Sequence, residues 1–98
     1  MIFTTVDFLA RAQLNRETLA IWIEEEWLVP SEIAPEHAFT EADLARAHLI
    51  RDLMDDLGVN AEGVGVVLNL VDQVHGLRSV LAKVLASARE RASQLPDQ

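Results

Sequence analysis

The 98 residues hold 8 Lys plus Arg, 16 Asp plus Glu and no cysteine, for a formal net charge of −8. Half are hydrophobic, which excludes general disorder, and the length is that of one modest domain. A disulfide framework and thiolate zinc sites are excluded, no run of about 18 apolar residues offers a membrane span, and the acid excess argues against nucleic acid. The charge is uneven. Residues 1–76 carry 4 basic and 14 acidic groups, net −10, whereas residues 77–98 carry Arg78, Lys83, Arg89 and Arg91 against Glu90 and Asp97, net +2. Met1–Leu9 has no basic leader region and includes Asp7, so no signal peptide is expected. The absence of cysteine fits a reducing cytoplasm, the expected location.

In chain order, Thr4-Thr5-Val6-Asp7 reads as a helix start, with a hydroxyl cap and an acid in the first turn, and predicts a short first helix over Asp7–Ala12. Gln13-Leu14-Asn15 reads as a turn, with Asn15 capping the next helix. Arg16–Trp27 places Leu19, Trp22, Ile23 and Trp27 on an apolar stripe, opposite Glu24, Glu25 and Glu26. Two short helices split by three residues are helix-turn-helix geometry. Leu28–Phe39 holds Pro30 and Pro35 and reads as a loop with short extended pieces.

Phe39-Thr40-Glu41-Ala42-Asp43-Leu44 restarts a helix, with Thr40 as cap and Asp43 at the third position. Ala47, Ile50, Met54 and Leu57 continue its stripe, and Gly58 closes it. Asn60 caps a last segment, Ala61–Ser93, that lacks proline. Its opening Gly63-Val64-Gly65-Val66-Val67 is locally strand-like, but Leu70, Val74, Leu77, Leu81, Val84 and Ala88 recur at alternating steps of four and three, which decides for helix. Such a helix is roughly 50 Å long, against a radius of gyration of about 13 Å for a compact domain of this size. It would overhang its own domain with an apolar seam, so Leu70, Val74, Leu77, Leu81 and Val84 are expected either to pair antiparallel in a homodimer or to fold back. Gly76 within it marks a bend or a close crossing. Ser93–Gln98 is expected to fray.

Catalytic and metal chemistry has little support. His37, His48 and His75 lie 11 and 27 residues apart and match no ligand spacing. The serines form no nucleophile elbow, and Gly63-Val64-Gly65 lacks the third glycine and the lysine of a phosphate loop. No cofactor or enzymatic activity is expected. Two acidic clusters stand out instead: Glu24-Glu25-Glu26, late in the second helix, and Asp52, Asp55 and Asp56, in the last turns of the third. Both set negative charge toward the negative end of a helix dipole, which is mildly destabilising, and Arg51 offsets Asp55 only weakly. They are either solvated surface or a docking face for a basic partner. Trp22 and Trp27, five apart, either both pack under the proline loop, or one is an exposed interface anchor.

The order of helix-turn-helix, proline-bearing loop, Phe39-Thr40-Glu41-Ala42-Asp43-Leu44, helix, Asp56-Leu57-Gly58-Val59 and long helix resembles the MerR-type winged helix-turn-helix module over Thr4–Leu70. The resemblance implies a mainly all-α fold: a single domain over 1–98, with a body over 1–58, a long C-terminal dimerisation helix over 59–95 and a tail over 96–98. DNA-binding members carry an Arg-Tyr-Tyr-type run in the second helix and arginines in the wing. Here the corresponding stretch is Leu19-Ala20-Ile21-Trp22, and Leu28–Phe39 has no Arg or Lys. With Glu62-Gly63-Val64-Gly65-Val66-Val67-Leu68-Asn69-Leu70-Val71-Asp72 and Leu77-Arg78, the chain is similar over nearly its full length to the bacterial chaperone modulatory proteins of the CbpM family. That similarity implies a non-enzymatic modulator that binds the basic J-domain of a DnaJ-like co-chaperone of the CbpA type, blocks its stimulation of the Hsp70 chaperone DnaK, and curbs its DNA binding. Partner contacts are then expected first at Trp22, Glu24, Glu25, Glu26 and Trp27, and second at Asp52, Asp55 and Asp56. The rival readings are a MerR-like DNA-binding transcription regulator and a dimeric adaptor for another basic protein.

Overall fold

The computed structural model describes residues 2–33 and 36–94. The chain divides into two compact units, residues 1–65 and 66–98.

The first unit holds α1 (Thr5–Ala12), α2 (Arg16–Glu24), α3 (Glu41–Arg51) and three short strands, β1 (Ile2–Phe3), β2 (Ser31–Ile33) and β3 (Glu36–Thr40). The helix starts lie where the capping side chains put them. Thr4 accepts from the Asp7 amide at 3.3 Å, and Asn15 from the Thr18 amide at 2.8 Å. Thr40 and Asp43 form a reciprocal capping box: Asp43 Oδ2 accepts from the Thr40 amide at 2.9 Å, and Thr40 Oγ1 from the Asp43 amide at 3.2 Å.

The short extended pieces expected in the proline-bearing segment are strands β2 and β3, which pair into a sheet. β3 is the central strand, antiparallel to β1 (Phe3 opposite Phe39) and to β2 (Ser31 opposite Ala38), giving the order β1-β3-β2. Pro30 stands just before β2, where a missing amide breaks no ladder bond; Pro35 lies outside the described residues. This hairpin is the wing. The third helix also departs from expectation. After Arg51 the backbone widens into a π-helical turn over Asp52–Asp56, whose bonding continues into Leu57 N–H to Asp52 O at 3.1 Å. Leu53 is buried there, while Met54 and Leu57, expected on the buried stripe, are exposed. Gly58, at φ 66°, then reverses the chain, and the Val59 amide closes on Leu53 O at 2.8 Å.

The core joins α1, α3 and β3. Phe8 and Phe39, both fully buried, stack with ring centroids 4.1 Å apart and planes 14° from parallel, beside Ala47 and Ile50.

α4 (Ala61–Gln94) is one continuous helix of 34 residues, so its strand-like opening is helical. Asn60 Oδ1 accepts from the Gly63 amide at 2.8 Å, and a Cβ on Gly63 would lie 2.6 Å from Val59 Cγ1, which explains a glycine in this first turn. Gly76 interrupts nothing, and a Cβ there would meet open space. The fraying expected over Ser93–Gln98 is not found at Ser93 and Gln94, which are helical; residues 95–98 lie outside the described residues. No helix among the described residues is long and apolar enough to cross a membrane.

Candidate protein-docking face

The helix-turn-helix is fixed from its turn outward. Gln13 takes a left-handed backbone (φ 56°), its amide returning to Leu9 O. Arg51 reaches the same turn from α3, donating from Nη1 to Ala12 O at 2.9 Å and to Gln13 Oε1 at 3.3 Å. With the turn held, α2 buries Leu19 and Trp22 and presents Arg16, Glu17, Ala20, Ile21 and Glu24 to solvent.

α2 ends three residues earlier than its apolar spacing predicts. Glu24 is its last residue, Glu25 caps it, and Glu26 turns the chain through a left-handed backbone at φ 62°. Trp27 therefore lies beyond the helix, its amide bonded to Trp22 O at 2.9 Å. Of the two readings open for the tryptophans, interior packing is the one observed, and the exposed anchor is corrected here. Trp22 and Trp27 are 4% and 6% exposed, with ring centroids 6.3 Å apart. The early exit folds Trp27 back toward Trp22, so both serve the interior. Glu24, Glu25 and Glu26 are all exposed, and among the described residues none is paired with a cation.

A groove of about 360 Å³ runs along α2, lined by Thr5, Arg16, Leu19, Ala20, Ile23, Glu24 and His37. Its floor is apolar, and Arg16 and Glu24 stand at opposite ends of α2. Arg16, Ala20, Ile23 and Glu24 share one helical face by spacing alone, which sequence could have shown. His37 comes from β3, which only the hairpin brings beside α2. Sequence reading had no access to that.

Asp52, Asp55 and Asp56 are exposed and line a different cleft, with Gln13, His48 and Arg51. Asp55 Oδ2 lies 3.8 Å from Arg51 Nε. Glu24 and the three aspartates thus line different clefts. Among the described residues no group of His, Asp and Glu is gathered to hold a metal ion.

Cations of the first unit are largely engaged by its own fold. The Arg11 guanidinium lies 4.8 Å from the Phe3 ring centroid, Arg46 Nε donates to Trp27 O, and Arg51 holds the turn. In the second unit the seam residues Leu70, Val74, Leu77, Leu81 and Val84 are between 45% and 70% exposed. Val80 and Leu85, not singled out by the four-three spacing, are also exposed. At about 100° per residue the seven fall within an arc of about 140°.

A family model described as "MerR HTH family regulatory protein" matches residues 3–84, most of the chain, and the chain belongs to that family. It is accordingly a regulatory protein of the MerR type. No curated protein matches it at a significant level.

Proposed function

We propose that this MerR-type protein is a non-enzymatic, cytoplasmic homodimer whose helix-turn-helix body grips a basic protein in place of DNA. The partner is the J-domain of a DnaJ-like co-chaperone of the CbpA type. Occupying that domain denies it to DnaK and curbs the co-chaperone's own DNA binding. One observation carries the docking reading: the surface of α2 that a DNA reader lays on phosphates carries Glu17 and Glu24, followed by Glu25 and Glu26, against the single cation Arg16. Phosphates repel such a face, whereas a lysine- and arginine-rich partner gains on-rate and specificity from it. The choice of a J-domain rests on the resemblance of Glu62–Asp72 and Leu77-Arg78 to the chaperone modulatory proteins. The homodimer rests on the exposed seam of α4, for which a second copy of the same helix is a matched partner.

Family membership favours a second reading, a DNA-binding transcription regulator. Parallel titrations separate the two. Purified J-domain should bind in calorimetry, more weakly as salt rises, and random duplex DNA should give no gel-shift complex at about 50 mM salt. Tight duplex binding with no J-domain binding would reverse the conclusion.

A further inference from the structure

We infer that the groove along α2 receives one amphipathic partner helix, which carries a Lys or Arg at one end and a carboxylate about two turns away. The inference rests on the proposed function only for the partner's identity. The groove supplies the rest. Leu19, Ala20 and Ile23 give an apolar floor that a polar strand or a nucleic-acid backbone does not match, and an apolar helix face does. The rim is charged with opposite signs at its two ends. Glu24 lines the groove where α2 ends, and Glu25 and Glu26 follow directly, while Arg16 lines it where α2 begins. These ends are eight residues apart on one helix, about 12 Å at 1.5 Å per residue. An occupant laid along α2 therefore meets the Glu24 carboxylate at one end and the Arg16 guanidinium about 12 Å away, a spacing of about two turns in its own helix. Ala20, midway and small, leaves the floor open. This polarity defines a direction of docking as well as a site, and a uniformly basic helix satisfies only half of it.

The test uses the full chain and, as first probe, a purified DnaJ-like J-domain. Ala20→Arg fills the groove floor from an exposed helical position. Ala45→Arg makes the same change at an exposed position of α3 outside the groove. Circular dichroism and urea midpoints establish that both variants are folded. Ala20→Arg should weaken J-domain binding by about tenfold or more and Ala45→Arg by less than about twofold, a contrast expected of a well-packed interface centre. Equal losses, or none, overturn the groove. If the J-domain fails to bind the unmodified protein, the proposed function falls while the groove stays testable with a second probe. That probe is a labelled amphipathic helical peptide of about 20 residues, with lysines at one end and a glutamate about two turns away, made in both sequence directions. One direction should bind the unmodified chain and lose binding to Ala20→Arg; absence of binding in both directions overturns the proposal. Arg16→Glu should weaken the bound peptide, and replacing the peptide's glutamate by lysine should restore it. Failure of that rescue overturns the polarity.

Discussion

Glu26 sits in a left-handed backbone conformation that glycine or asparagine enters more easily, at a cost of about 1 kcal/mol for another residue. Its side chain is exposed and unpaired, so nothing local offsets that cost, whereas its charge completes the acidic end of α2. Glu26→Gly should therefore raise the unfolding free energy by about 0.5 kcal/mol, net of the extra freedom glycine brings to the unfolded chain. Urea denaturation reads this directly, and a loss of stability would show that the carboxylate helps hold the turn. The same variant should weaken J-domain binding at low salt. Glu24, Glu25 and Glu26 were legible as a candidate surface because charge is read without knowledge of the fold. The helix is expected to run on to Trp27 because its four-residue offset from Ile23 mimics a continuing stripe, and no glycine marks the true exit.

At the scale of elements, the starts were written more clearly than the ends. Thr4, Asn15 and Thr40 each cap through a side-chain oxygen, a local bond that needs no tertiary partner. Thr40→Ala removes one half of the capping box, and the expected loss is about 1 kcal/mol in urea or thermal unfolding. An unchanged midpoint would mean that packing of Phe39 on Phe8 alone fixes the start of α3. The wing was read as loop because its strands are three and five residues long and proline stands at its edge. β3 pairs with β2 across a local hairpin, but its other edge is held by β1, a contact distant in sequence. The π turn left no signal either, since its wider hydrogen-bonding step involves the same residue types as an α-helix. The groove inherits both gaps. Its α2 face was readable from spacing, and its β3 wall was not.

For the whole molecule, the exposed stripe of α4 is the feature that assembly must answer. If two copies pair through it, Leu77→Asp with Leu81→Asp puts unpaired carboxylates in an apolar seam and should yield monomers in light scattering. An unchanged dimer mass would remove these residues from the seam. Pairing also couples folding to mass action, so the thermal midpoint of the unmodified chain should rise with protein concentration and that of the double variant should not. The length and register of α4 were legible throughout from its four-three spacing. The breadth of its apolar face emerged only once Val80 and Leu85 were placed beside the seam.

The engagement of the arginines bears on reversibility. Arg46 is tied to the backbone at Trp27, Arg51 to the turn between α1 and α2, and Arg11 lies against Phe3. None can be redirected to a phosphate without loosening the element it secures. A protein engineer wishing to restore DNA reading to this scaffold would have to add new cations along α2 and the wing. Rearranging the existing ones would dismantle the helix-turn-helix before it reached a groove of the duplex.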